Sequence, residues 1–77
     1  MKGTNMTFNL YDFLYMIGNI EVSVFERLSD GKERPLFIGY PEELREHLEL
    51  SFSTMRYKVF FISHIKDNVL ELVVIDE

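Results

Sequence analysis

The chain has no cysteine and no tryptophan, and its only breakers are two prolines and four glycines. Without cysteine there is neither a disulfide framework nor a cysteine–zinc site. A fold of this size must then be held by its own core or by association. The absence fits a reducing compartment, and a cytoplasmic location is expected. Gly3, Gly18, Gly31 and Gly39 stand singly, so no glycine-rich loop is present to cradle a phosphate. No apolar run approaches the ~18 residues of a membrane span, and residues 1–6 lack the apolar stretch of a signal peptide, so no membrane partner is expected. Positive charge is also scarce. Eight basic residues stand against thirteen acidic ones, a net charge of −5. Nucleic-acid binders normally show a basic stripe, so direct nucleic-acid binding is not expected. A basic protein partner suits this charge, although solubility alone also accounts for it.

What is present is apolar and aromatic. The 77 residues are 47 % hydrophobic and 14 % aromatic, enough to fold as one small domain. That domain is expected over residues 6–77, after a disordered lead at 1–5. Its clearest signal lies in the last third. Residues 55–66 and 69–76 are runs rich in β-branched and aromatic side chains, separated by Asp67-Asn68. Both turn residues tolerate positive φ, as a two-residue type I′ hairpin requires. The resulting register places Lys66 opposite Val69, His64 opposite Glu71, Ile62 opposite Val73, Phe61 opposite Val74 and Phe60 opposite Ile75. One hairpin face then collects Val59, Phe61, Ile65, Leu70, Leu72 and Val74, a core face. The other collects Phe60, Ile62, Val73 and Ile75, turning polar near the turn with His64, Glu71 and Lys66.

Upstream, residues 7–18 read as a short helix. Asn9 is its N-cap, Phe8 and Phe13 form a hydrophobic staple, and Leu10, Phe13, Leu14 and Ile17 make one buried stripe. Tyr11, Tyr15 and Met16 lie off that stripe. They are either a sticky interface or the rim of the domain's own core. Residues 19–27 alternate as a strand, with Ile20, Val22 and Val24 opposite Glu21, Ser23, Phe25 and Arg27. Asp30-Gly31 reads as a type I′ turn into a return strand at 33–40, which Pro35 places at or near a sheet edge. Pro41 opens a second helix through Phe52, with Leu44, Leu48 and Phe52 as its apolar stripe. Glu42, Glu43, Glu46 and Glu49 form its acidic outer face, where Arg45 pairs with Glu49. The order α-β-β-α-β-β predicts an α+β fold, a four-stranded, mainly antiparallel sheet with two helices packed on it. Helix one, being more apolar, packs more deeply.

Few groups are available for catalysis. His47 can meet Glu43 on its helix and His64 faces Glu71, but two ligands on separate elements do not make a metal site. No serine has a base and acid beside it. The chain is therefore expected not to be an enzyme and to need no cofactor. Adjacent strand residues point to opposite faces, so Phe60 and Phe61 cannot form one base-stacking platform. Binding is what remains. Two helices cover one sheet face, which leaves Phe60, Ile62, Val73 and Ile75 as a partner-binding patch, unless helix one wraps onto it. The acidic helix is a second candidate contact. A homodimer is the expected assembly, because an isologous patch needs only itself. The alternative is an assembly subunit that only self-associates.

The chain resembles small proteins carried by bacterial phages and mobile elements. The features are the aromatic helix Leu10-Tyr11-Asp12-Phe13-Leu14, the strand with Val22 and Val24, Gly39 ahead of the Glu43-Leu44 helix, and the closing strand with Leu70, Leu72, Val73 and Ile75. Small acidic chains of this kind are often inhibitors of host defence, anti-CRISPR proteins among them. The resemblance therefore implies an inhibitor of a nucleic-acid-handling host protein. It assigns no role to any individual residue.

Overall fold

In a computed structural model the structure describes residues 8–76, apart from the side chain of His64. The disordered lead expected at residues 1–5, and Met6 and Glu77 at the expected domain limits, lie outside the described residues. The elements are β1 (Phe8–Asn9), α1 (Leu10–Met16), β2 (Glu21–Arg27), β3 (Glu33–Gly39), α2 (Pro41–Leu50), β4 (Tyr57–Lys66) and β5 (Val69–Asp76). The fold is α+β. Its sheet has five strands, in the order β1-β4-β5-β2-β3, and is mixed: β2 and β5 run parallel at its centre, and the other neighbours are antiparallel. This corrects the expected four strands. β1 is only two residues long, pairing Phe8 with Val59 and Asn9 with Lys58, and Asn9 also starts α1. A strand that short has no periodicity to read. β3 lies at the edge, where Pro35 withholds no needed hydrogen bond.

Local chemistry explains the helix ends. Asn9 Oδ1 accepts from the Asp12 N–H at 3.1 Å, and the Phe8 and Phe13 rings lie 6.3 Å apart as a staple. α2 begins at Pro41, with Glu43 Oε1 accepting from the Tyr40 N–H at 3.0 Å, one half of a capping box. Its C-terminal end departs from expectation. The Ser53 N–H reaches Leu48 O at 2.7 Å and the Phe52 N–H reaches Glu49 O at 3.2 Å, the paired bonds of a Schellman motif. Phe52 occupies the position where glycine is usual, at φ 56°. The left-handed turn takes it out of the helical stripe, and its side chain is 95 % exposed instead of packing below Leu48.

Both helices lie on one face of the sheet. Leu10, Phe13 and Leu14 of α1 and Leu44 and Leu48 of α2 share one core with Val22, Val24, Tyr57, Val59, Leu70, Leu72 and Val74. Leu10 and Leu14 are completely buried, so α1 is the deeper helix. α1 therefore does not wrap onto the far face. At one end of the sheet, Glu26 is 5 % exposed and Arg34 Nε and Nη2 donate to its Oε1 at 3.1 and 2.9 Å. Nearby, Arg56 donates two hydrogen bonds to Asp76 Oδ2, which hold that carboxyl below its usual range.

The two hairpins differ. Asp67 and Asn68 both have positive φ, 54° and 63°, as a type I′ turn requires. In the β2–β3 connection only Gly31 has positive φ, at 86°. The turn is closed by the Gly31 N–H on Leu28 O, with the Lys32 N–H on Asp30 Oδ1. The expected type I′ pair does not form there: the Leu28 N–H reaches Lys32 O at 2.7 Å, which closes a three-residue loop with Gly31 in the left-handed position.

Candidate functional site

The face opposite the helices is open, and its composition depends on the β4–β5 register. The first pairs follow expectation: Lys66 with Val69, Ile65 with Leu70, His64 with Glu71. Then Ser63 is bulged out and Ile62 pairs with Leu72. Phe61 pairs with Val73, Phe60 is bulged out, and Val59 pairs with Val74. Each bulge inserts one unpaired residue and slips the pairing by one. Two expectations change as a result. Ile62 leaves the open face for the helix side. Phe61 leaves the expected core face for the open one. Ile65 keeps its side but stays exposed, as does Ile62. α1 spans only about 10 Å and cannot shelter the far end of a strand roughly 33 Å long. Val73, expected on the exposed patch, is 1 % exposed.

On the open face, Phe61, Val73, Phe25 and Pro35 form one row across β4, β5, β2 and β3. Val73, at the centre of this row, is buried by its neighbours. Phe60 and Phe61 are 47 % and 39 % exposed, and Ile75 and Phe25 are half-buried. The Phe60 and Phe61 rings meet edge to face, 5.2 Å apart. The Arg27 guanidinium lies over both, 5.3 and 5.4 Å from their centroids. The bulge puts the adjacent aromatics on one side, so the expectation that they point to opposite faces is overturned, although the rings meet edge to face and not as one flat platform. The same guanidinium pairs with Glu33, while its Nε is buried without a hydrogen-bond partner. Phe25 and Arg27 are not among the expected contact residues; the signal that could have found them is the alternation of β2, which sets them opposite Val22 and Val24.

The other candidates are placed as follows. Glu42, Glu43, Glu46 and Glu49 are all exposed on α2, but two of them are engaged. Glu43 caps the helix, and Glu49 accepts from the Tyr11 hydroxyl. That bond keeps the Tyr11 phenol well above its ordinary range, because ionising it would set two anions together. Tyr11 and Tyr15 meet edge to face at 5.3 Å. Arg45 stacks on Tyr15 at 4.3 Å and donates to Leu14 O at 3.2 Å, in place of the expected pair with Glu49. The two tyrosines thus clasp α1 to α2, and Met16 alone of that trio projects without such partners. His47 stacks on Phe37 at 5.8 Å, while Glu43 is directed to its cap, so the expected His47–Glu43 pair is not made. Glu71 accepts from Ser63 Oγ at 3.1 Å. Among the described residues no three His, Cys, Asp or Glu side chains gather as metal ligands, and no helix is long and apolar enough to cross a membrane.

No protein-family model, curated protein or solved structure matches the chain.

Proposed function

We propose that the chain is a non-catalytic protein-binding module and that the open sheet face is its contact surface. One observation carries this reading: Phe25, Phe60, Phe61 and Ile75 surround the buried Val73 on a face that neither helix covers. A parallel strand pair is ordinarily covered on both faces, and β2–β5 has a cover on one. A central apolar patch with an aromatic and arginine rim is the composition of a binding surface. The Arg27 guanidinium, held over the Phe60 and Phe61 rings, places a cation in this rim. Exposed Glu42 and Glu46 lie on α2, behind the sheet, and act only through the net negative charge, which favours approach of a basic partner. With the resemblance to small phage and mobile-element proteins, these features support inhibition of a nucleic-acid-handling host protein in the cytoplasm, without a cofactor and without direct contact to nucleic acid.

The test is capture of partners from host lysate by the tagged chain and by a Phe60→Asp, Phe61→Asp variant shown by circular dichroism to be folded. A specific partner lost in the variant is expected. A partner retained by the variant refutes the assignment of this face. No partner for either form leaves the chain a self-associating assembly subunit.

A further inference from the structure

We propose that two copies of this chain associate by exchanging Phe52, each ring entering the cleft between α2 and β3 of the other copy. Phe52 is 95 % exposed and is held at φ 56°, a conformation that a bulky residue adopts at a cost. Leu50 and Met55 beside it are exposed as well. The adjoining cleft has a volume of about 390 Å³; Leu36, Phe37, Leu44, Leu48 and Tyr57 line it, with His47 and Arg56 among its polar groups. Its lip includes Ser51 and Ser53, the residues on either side of Phe52.

The occupant follows from three features. A projecting ring and an apolar hollow side by side on one chain are self-complementary, which is what a two-fold interface requires. Charge also permits it: residues 50–66 contain no acidic residue in a chain of net charge −5, so copies meeting here avoid the repulsion between acidic surfaces. The area is suited to a weak dimer. Two exchanged rings bury roughly 300–500 Å². Leu50 and Met55 add to this, and the total stays below the ~1,200 Å² that bounds weak and transient contacts. This dimer leaves the open sheet face free, so it stands or falls independently of the function proposed above.

The experiment is sedimentation equilibrium across a dilution series from low micromolar to millimolar, with amide chemical shifts followed over the same range. Native chain is expected to pass from monomer to dimer, with shift changes at Leu36, Phe37, Leu44, Leu48 and Tyr57. Phe52→Gly is expected to weaken association by at least about tenfold and to abolish those changes. Phe52→Asn, which also tolerates the left-handed turn, is expected to do the same and guards against an effect peculiar to glycine. A native chain that stays monomeric overturns the proposal. So does a variant that dimerises as the native chain does, or a dimer whose shift changes fall on Phe25, Phe61 and Val73.

Discussion

Replacing Phe52 by glycine should make the isolated monomer more stable, although it removes an aromatic side chain from a small domain. Two readings of this residue predict opposite signs. As the third member of the α2 stripe after Leu44 and Leu48, Phe52 would be core, and its loss would cost about 3–5 kcal/mol. In the structure it is 95 % exposed and forms the left-handed turn of the Schellman motif. Its removal then forfeits almost no burial. A left-handed conformation costs an L-residue roughly 1–2 kcal/mol, which glycine does not incur. Glycine's greater freedom in the unfolded chain returns roughly 0.5–1 kcal/mol of that gain. The net is a stabilisation of about 0–1.5 kcal/mol, centred on roughly 0.75. For a domain of this size that raises Tm by up to about 12 °C, with a central value of roughly 3–6 °C. The assay is urea and thermal unfolding by circular dichroism at low micromolar concentration, where the dimer proposed above does not contribute. A fall in both midpoints would refute the reasoning, because it would mean that Phe52 packs within its own chain.

Two further outcomes follow from the helix ends and the surface networks. A Cβ on Gly39 would lie 2.8 Å from Glu43 Oε1 and 2.9 Å from the Phe37 ring. Gly39→Ala should therefore displace the carboxylate that caps α2 and cost about 1 kcal/mol, read as a lower urea midpoint that a following Glu43→Ala change does not lower further. Stability should also decline at both pH extremes for separate reasons. The Tyr11 phenol is raised in the fold by Glu49, so its contribution is complete below pH ~10 and is lost as pH rises through the folded value. Asp76 is lowered by Arg56, so its contribution is complete above pH ~4 and is lost as pH falls through the folded value. Urea midpoints across pH should flatten on the alkaline limb in Tyr11→Phe and on the acid limb in Arg56→Met; unchanged limbs would show that neither pair acts in solution.

The sequence by itself determined what depends on neighbours along the chain. Asp67-Asn68 dictates a type I′ hairpin because both residues accept positive φ. Asn9, Phe8 and Phe13 specify the start of α1, and Pro41 that of α2, through groups within one helical turn. The alternation of Val22 and Val24 against Phe25 and Arg27 already divides β2 between a core face and an open one. Tertiary structure decided the rest, because it rests on partners far away in the chain. The parallel pairing of β2 with β5 joins residues some fifty apart. The two bulges in β4 answer to packing on both faces and leave no periodic mark, yet they move Phe61 outward, Ile62 to the helix side and Phe60 beside Arg27. Glu49 reads as a solvated charge until its donor, the Tyr11 hydroxyl 38 residues away in the chain, is brought to it. Phe52 continues a helical stripe by spacing alone. Only the chain's turn toward β4, taken at a residue with a Cβ where glycine is usual, sends it into solvent.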